Sequence, residues 1–129
     1  MPGGFYMGDI VTCTYKTGSY YGELLETNDS RGTGVVKILA VKRHPRQGDL
    51  HNPNQTDVPF FHERPALSYQ EKANIPLNQI KIYTGTVPDY TASLQEAADE
   101  YERRLEEGES SFDQQSLETL RSVRRGYPG

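Results

Sequence analysis

Hydrophobic and polar positions alternate along the first two-thirds of the chain, and then the period changes. In residues 9–15, Val11, Cys13 and Tyr15 fall on one side and Ile10, Thr12 and Thr14 on the other, the two-residue period of a half-buried strand. Lys16-Thr-Gly-Ser19 reads as a turn, with Gly18 free to take a positive φ. A second strand is expected over residues 20–27, ended by the turn formers of residues 28–34. A third, over residues 33–43, is the most apolar and carries Val35, Val36, Ile38, Leu39, Ala40 and Val41. From His44 to Asp57 the pattern disappears. Loops of that length in compact domains tend to be functional or disordered. Strand character returns at residues 58–62, 66–73 and 79–83. Five or six short antiparallel strands predict a small SH3-like β-barrel over residues 1–87, with residues 44–57 as its long loop.

After Pro88 the period becomes 3.6. Tyr90, Leu94, Ala97, Ala98, Tyr101 and Leu105 lie on one face of a helix, with Asp89 as its N-cap and Gly108 as its stop. Asp99 with Arg103, and Glu100 with Arg104, have the i,i+4 spacing of ion pairs on the solvated side. A second helix is expected to start with a capping box of Ser111 and Gln114. It carries Leu117, Leu120, Val123 and Tyr127 in a narrow stripe and stops at Gly126 and Pro128. The fold class is therefore mainly β with α, a barrel followed by a C-terminal helical hairpin over residues 88–129. The barrel can cover only part of two apolar stripes, so the hairpin is also a candidate interaction or dimerisation element.

Composition narrows the function classes. The chain has 129 residues and one cysteine, so no internal disulfide can form. No apolar run is long enough for a signal peptide or a membrane span, which predicts a cytoplasmic protein with no direct membrane insertion. Cys13 follows a charged residue and a glycine rather than an apolar segment, which is not the setting of a lipid-modified cysteine. The net charge of −4 is uneven: residues 1–87 hold 9 Lys/Arg against 8 Asp/Glu, and residues 88–129 hold 5 against 10. Without a clustered basic segment, binding to nucleic acid is not expected.

Candidate chemistry concentrates between His44 and Arg64. His44, Asp49, His51 and His62 could in principle ligate zinc, but their spacing matches no ligand pattern, so no metal is expected. His62-Glu63 has the look of a phosphoacceptor pair. Pro65 follows it and Phe60-Phe61 precede it, however, which suits a strand end and not a long helix. No GxSxG, P-loop or GxGxxG is present, so no catalytic residue and no cofactor are assigned. Nine tyrosines and no tryptophan are unusual; Tyr15, Tyr20 and Tyr21 resemble the start of an aromatic cage, but only two of them can share a face, and packing explains them better.

Taken in order, GDIVTCTYKTGSYYGELLE, VVKILAVKRHPRQGDLHNP, VPFFHERPALSYQEKANIP and the VPDY that opens the first helix resemble the kinase-associated protein B family. The resemblance runs from Gly8 to Tyr127, with QGDLHNP and PFFHER as its specific blocks. It implies a β-barrel-like domain with a helical extension. It also implies a non-enzymatic role in sporulation beside a membrane-bound sensor histidine kinase of a phosphorelay, which would bring the protein to the inner face of the membrane through its partner. A homodimer is compatible with this. The alternative is a Tudor-like reader of nucleic acid or of a modified ligand on the same barrel. The expected partner-binding surface comprises His44, Gln47, Asp49, His51, Asn52, Phe60, Phe61, His62, Glu63 and Arg64. The polar residues would supply hydrogen bonds, and the phenylalanines and arginine would supply anchors.

Overall fold

In a computed structural model that describes residues 4–48 and 61–129, the strands are Ile10–Tyr15 (β1), Gly18–Asn28 (β2), Thr33–Arg43 (β3), Lys72–Pro76 (β4) and Ile80–Ile82 (β5). The helices are Tyr90–Glu107 (α1) and Ser111–Arg124 (α2). The strands form one antiparallel sheet in the order β4-β3-β2-β1-β5. The meander of β1, β2 and β3 follows from the alternation. Val11 and Cys13 of β1, Tyr20 and Leu24 of β2, and Val36 and Ile38 of β3 are all buried in one core. β4 and β5 are the sheet's edges, with no ladder between them among the described residues, so the sheet is open and not a closed barrel.

Three local expectations change; of the strand expected over residues 58–62, the two described residues, Phe61 and His62, are not in a strand. The β1–β2 turn takes its left-handed residue at Lys16, with φ 53°, and not at Gly18. Gly18 is required instead because a Cβ there would collide with the Tyr20 ring. The strand expected over residues 66–73 is also displaced. β4 begins at Lys72 and pairs with β3 from Lys37↔Lys72 to Thr33↔Pro76, while residues 61–68 join no ladder.

The helices form where the change of period puts them. Asp89 Oδ2 accepts from the Ala92 amide at 3.0 Å and Gly108 ends α1. Ser110, one residue earlier than expected, caps α2 by accepting from the Asp113 amide. α1 serves two cores with one stripe. Leu94 and Ala97 join the sheet core, while Tyr101 and Leu105 meet Leu120 of α2. The Ser93 hydroxyl, at the seam, accepts from the Val41 amide at 2.9 Å. Asp99 pairs with Arg124 of α2 rather than with Arg103, whereas the expected Glu100–Arg104 pair forms, at 3.9 Å.

Candidate partner-docking site

Residues 61–68 cross the molecule as an extended strap whose backbone is held by side chains in place of a strand. Gln47 does the first part. Its Oε1 accepts from the Arg64 amide at 2.9 Å, and its Nε2 donates to the Arg64 carbonyl at 2.9 Å and to the Pro45 carbonyl at 3.1 Å. A carboxamide thus imitates the peptide group of a neighbouring strand, one donor and one acceptor. Three tyrosine hydroxyls do the rest. Tyr127 accepts from the Ala66 amide at 2.8 Å, Tyr20 accepts from the Leu67 amide at 3.3 Å, and Tyr90 donates to the Leu67 carbonyl at 2.6 Å. Tyr20, expected to serve in packing, and Tyr90 and Tyr127, expected on the apolar stripes of the helices, therefore satisfy the backbone of the strap as well.

His44 sits beneath this strap. Its Nδ1 donates to the Pro45 carbonyl at 2.9 Å, which leaves Nε2 to accept from the Tyr127 hydroxyl at 2.6 Å. The tautomer follows from the carbonyl, which can only accept. The imidazole also stacks on Tyr101, with ring centroids 5.6 Å apart. Burial pushes its pKa down to about 4, and the nearby Arg124 charge adds to the effect. Tyr101, in turn, accepts from the Gln47 amide at 3.0 Å.

Gly48 and residues 61–64, on either side of the residues that are not described, meet at a neck. The Gly48 amide donates to the His62 carbonyl at 3.0 Å, and Arg64 Nε donates to the Gly48 carbonyl at 3.2 Å. Gly48 has φ 98°, and a Cβ there would press on the Phe61 ring, so glycine is needed for both conformation and space. Phe61 packs on Phe112 of α2 with centroids 5.6 Å apart, and Glu63 accepts from the Ser122 hydroxyl at 2.8 Å. Phe112 was absent from the expected stripe, although its spacing to Leu120 and Val123 puts it on the same buried face of α2.

The expected surface residues therefore divide. His62 and Glu63 are exposed, and Phe61 and Arg64 are half-buried at the neck. His44 and Gln47 are interior residues, each 2% exposed, and so cannot face a partner as expected; their hydrogen-bonding capacity is spent on the fold. Asp49, His51, Asn52 and Phe60 lie outside the described residues. An open groove of about 1220 Å³ runs beside the strap between Glu63, Leu67, Tyr69, Glu71, Pro88 and Tyr90, with Tyr69 55% exposed.

Among the described residues no group of three or more His, Cys, Asp or Glu side chains is placed to hold a metal ion. Among the same residues no helix is long and apolar enough to cross a membrane. Cys13 is 4% exposed in the middle of β1, paired with Tyr20 on one side and Ile80 on the other. Desolvation raises its thiol pKa to about 11. A lipid on Cys13 would have to be attached inside the core.

These features define a small α+β protein in which an antiparallel sheet and a helical hairpin close around a strap and present the neck of a long loop. The chain belongs to the kinase-associated protein B family, whose model matches residues 15–128. It is 47% identical over 123 residues to the kinase-associated lipoprotein B of Bacillus subtilis (strain 168), covering 95% of this chain and 94% of that protein. The crystal structure of kinase-associated protein B from Bacillus cereus superposes with a TM-score of 0.80 at 39% identity, over 95% of this chain and 97% of that one.

Proposed function

We propose that this protein is a non-enzymatic accessory factor that supports a sensor histidine kinase of the sporulation phosphorelay by direct contact. The observation that supports this most is family membership over nearly the whole chain, together with relatives whose names associate them with a kinase. The contact surface is the neck: exposed His62 and Glu63, the Phe61 ring beside them, and the loop that begins after Gly48. The strap that follows His62 and Glu63 is held by Gln47 and the three tyrosines, so a partner need not order the strap on binding. The B. subtilis relative is named a lipoprotein. For this chain we place the work at the inner face of the membrane through the partner and not through a lipid on Cys13.

The test is a pair of double variants, His62→Ala with Glu63→Ala, and Asp49→Ala with His51→Ala, read for thermal stability and for kinase output in sporulating cells. The expected result is near-normal stability with lost output. Normal output from both variants would overturn the proposal.

A further inference from the structure

The cations of this acidic chain are of two kinds. Lys37, Arg103, Arg121 and Arg124 have carboxylate partners. Arg31, Lys72 and Arg125 are exposed with no ion-pair partner among the described residues, and so are Lys16, Lys42, Arg43, Arg46 and Lys81. The fold gathers the last five around Arg104. Lys42, Arg43, Lys81 and Arg104 line one shallow depression. Lys16, Arg43, Arg46 and Arg104 line a second. Arg43 and Arg104 stand in both, so the six form one continuous surface.

Strand register explains the gathering. Lys81 pairs with Thr12 across β5 and β1, and Arg43 pairs with Ser19 across β3 and β2. Thr12 and Ser19 alternate with the buried Cys13 and Tyr20, so this is the side of the sheet turned away from its core. The Thr17 hydroxyl accepts from the Arg46 amide at 2.8 Å, tying the turn that carries Lys16 to the end of β3. Among the described residues two carboxylates line these two depressions, while Glu96 and Asp99 border Lys42 from a neighbouring one. Glu100 is engaged by Arg103 and Arg104, and Asp113 lies in the first turn of α2, where the helix N-terminus favours its charge.

We propose that this face docks a short carboxylate-rich segment of a partner protein. Six cations, with the hydroxyls of Thr12, Thr14 and Ser19 among them, are complementary to carboxylate oxygens. Among the described residues the rings that line these depressions, His44 and Tyr101, are buried, and the half-buried Tyr15 ring is covered by Lys16 at 5.5 Å, so the face offers little ring surface on which bases could stack or that could enter a lipid surface. A long polyanion such as duplex DNA would also run onto residues 88–129, where acids outnumber bases 10 to 5, and be repelled. A short acidic segment avoids that repulsion. The proposal is independent of the kinase reading, since it needs neither the neck nor a kinase.

The experiment is a fluorescence-anisotropy titration of the full chain with a labelled Glu/Ser-rich peptide, with a short DNA duplex and phosphatidylserine vesicles as comparison ligands. The peptide should bind at about 50 mM salt and weaken steeply by about 200 mM. The variant Lys42→Glu/Arg43→Glu/Lys81→Glu should lose about tenfold or more in affinity. The control Arg31→Glu/Lys72→Glu, which changes exposed cations elsewhere, should bind as the parent does. If charge reversal unfolds the protein, the neutral set Lys42→Gln/Arg43→Gln/Lys81→Gln is read in the same way. No peptide binding at low salt, equal losses in the patch and control variants, or tighter binding of duplex or vesicles than of peptide would each overturn the proposal.

Discussion

The Tyr127 hydroxyl donates to Nε2 of His44 at 2.6 Å, joining two residues 83 positions apart in the chain. The same oxygen accepts from the Ala66 amide, so one hydroxyl ties the end of the helical hairpin, the end of β3 and the strap together. Tyr127→Phe removes both bonds and leaves the Ala66 amide and Nε2 of His44 without partners. The expected cost is about 1–3 kcal/mol in chemical denaturation. An unchanged midpoint would show that the triple junction contributes nothing.

The same geometry sets a pH dependence. His44 titrates near 6.5 in the unfolded chain and near 4 in the fold, so between those values the unfolded state binds more protons and stability rises with pH. The contribution is fully present above pH 6.5 and is lost as pH falls towards 4, amounting to about 3 kcal/mol. Carboxylates also titrate in this range, so the measurement is a difference. The stability profile of His44→Gln from pH 7 to 4 should be shallower than that of the parent, and parallel profiles would count against the assignment.

Gln47→Glu should be worse than its size suggests. A carboxylate can still accept from the Arg64 amide but cannot donate to the Pro45 and Arg64 carbonyls, and it would be left ionised against two acceptors in a buried site. Amide exchange at Arg64 and Gly48 should accelerate in this variant before global unfolding. Retained protection there would mean that the strap does not depend on Gln47.

Arg124 and Arg103 offer a contrast between a tertiary and a local ion pair. Arg124 reaches Asp99 at 2.7 Å, Glu102 at 3.2 Å and Gln95 at 3.1 Å across the hairpin, with its side chain only 20% exposed. Arg103 meets Glu100 and Glu107 on its own helix, in solvent. Arg124→Ala should lower Tm by several degrees, about 1 kcal/mol, whereas Arg103→Ala should leave Tm within measurement error.

Cys13 should be inert in the native protein. With its thiol buried and its pKa raised to about 11, alkylation at neutral pH should occur only on unfolding, and Cys13→Ala should be tolerated at a cost of about 1–2 kcal/mol. Rapid labelling of the folded protein would place the thiol at the surface and reopen its use as an attachment point.

What the sequence determined by itself is whatever depends on near neighbours in the chain. The alternation of Val11, Cys13 and Tyr15 placed β1, and the i, i+3, i+4 series from Tyr90 to Leu105 placed α1. Asp89 and Gly108 marked its ends, because a cap is a contact over three residues. Pro65 suggested a strand end at His62-Glu63, but residues 61–68 join no ladder, and most of the loop expected over residues 44–57 lies outside the described residues. Tertiary structure alone decided the rest. Whether residues 66 and 67 form a strand depends on who supplies their hydrogen bonds, and here the donors and acceptors are Tyr20, Tyr90 and Tyr127, up to 61 residues away, while the ladder to β3 begins only at Lys72. His44 and Gln47 look like surface residues when composition is the only guide. Their burial follows from partners that no local pattern contains, because a polar side chain goes inside only where distant groups satisfy it. The basic face escaped for the same reason. Residues 1–87 are nearly neutral when counted along the chain, and only the pairing of β5 with β1 and of β3 with β2 brings Lys81 and Arg43 onto one side of the sheet.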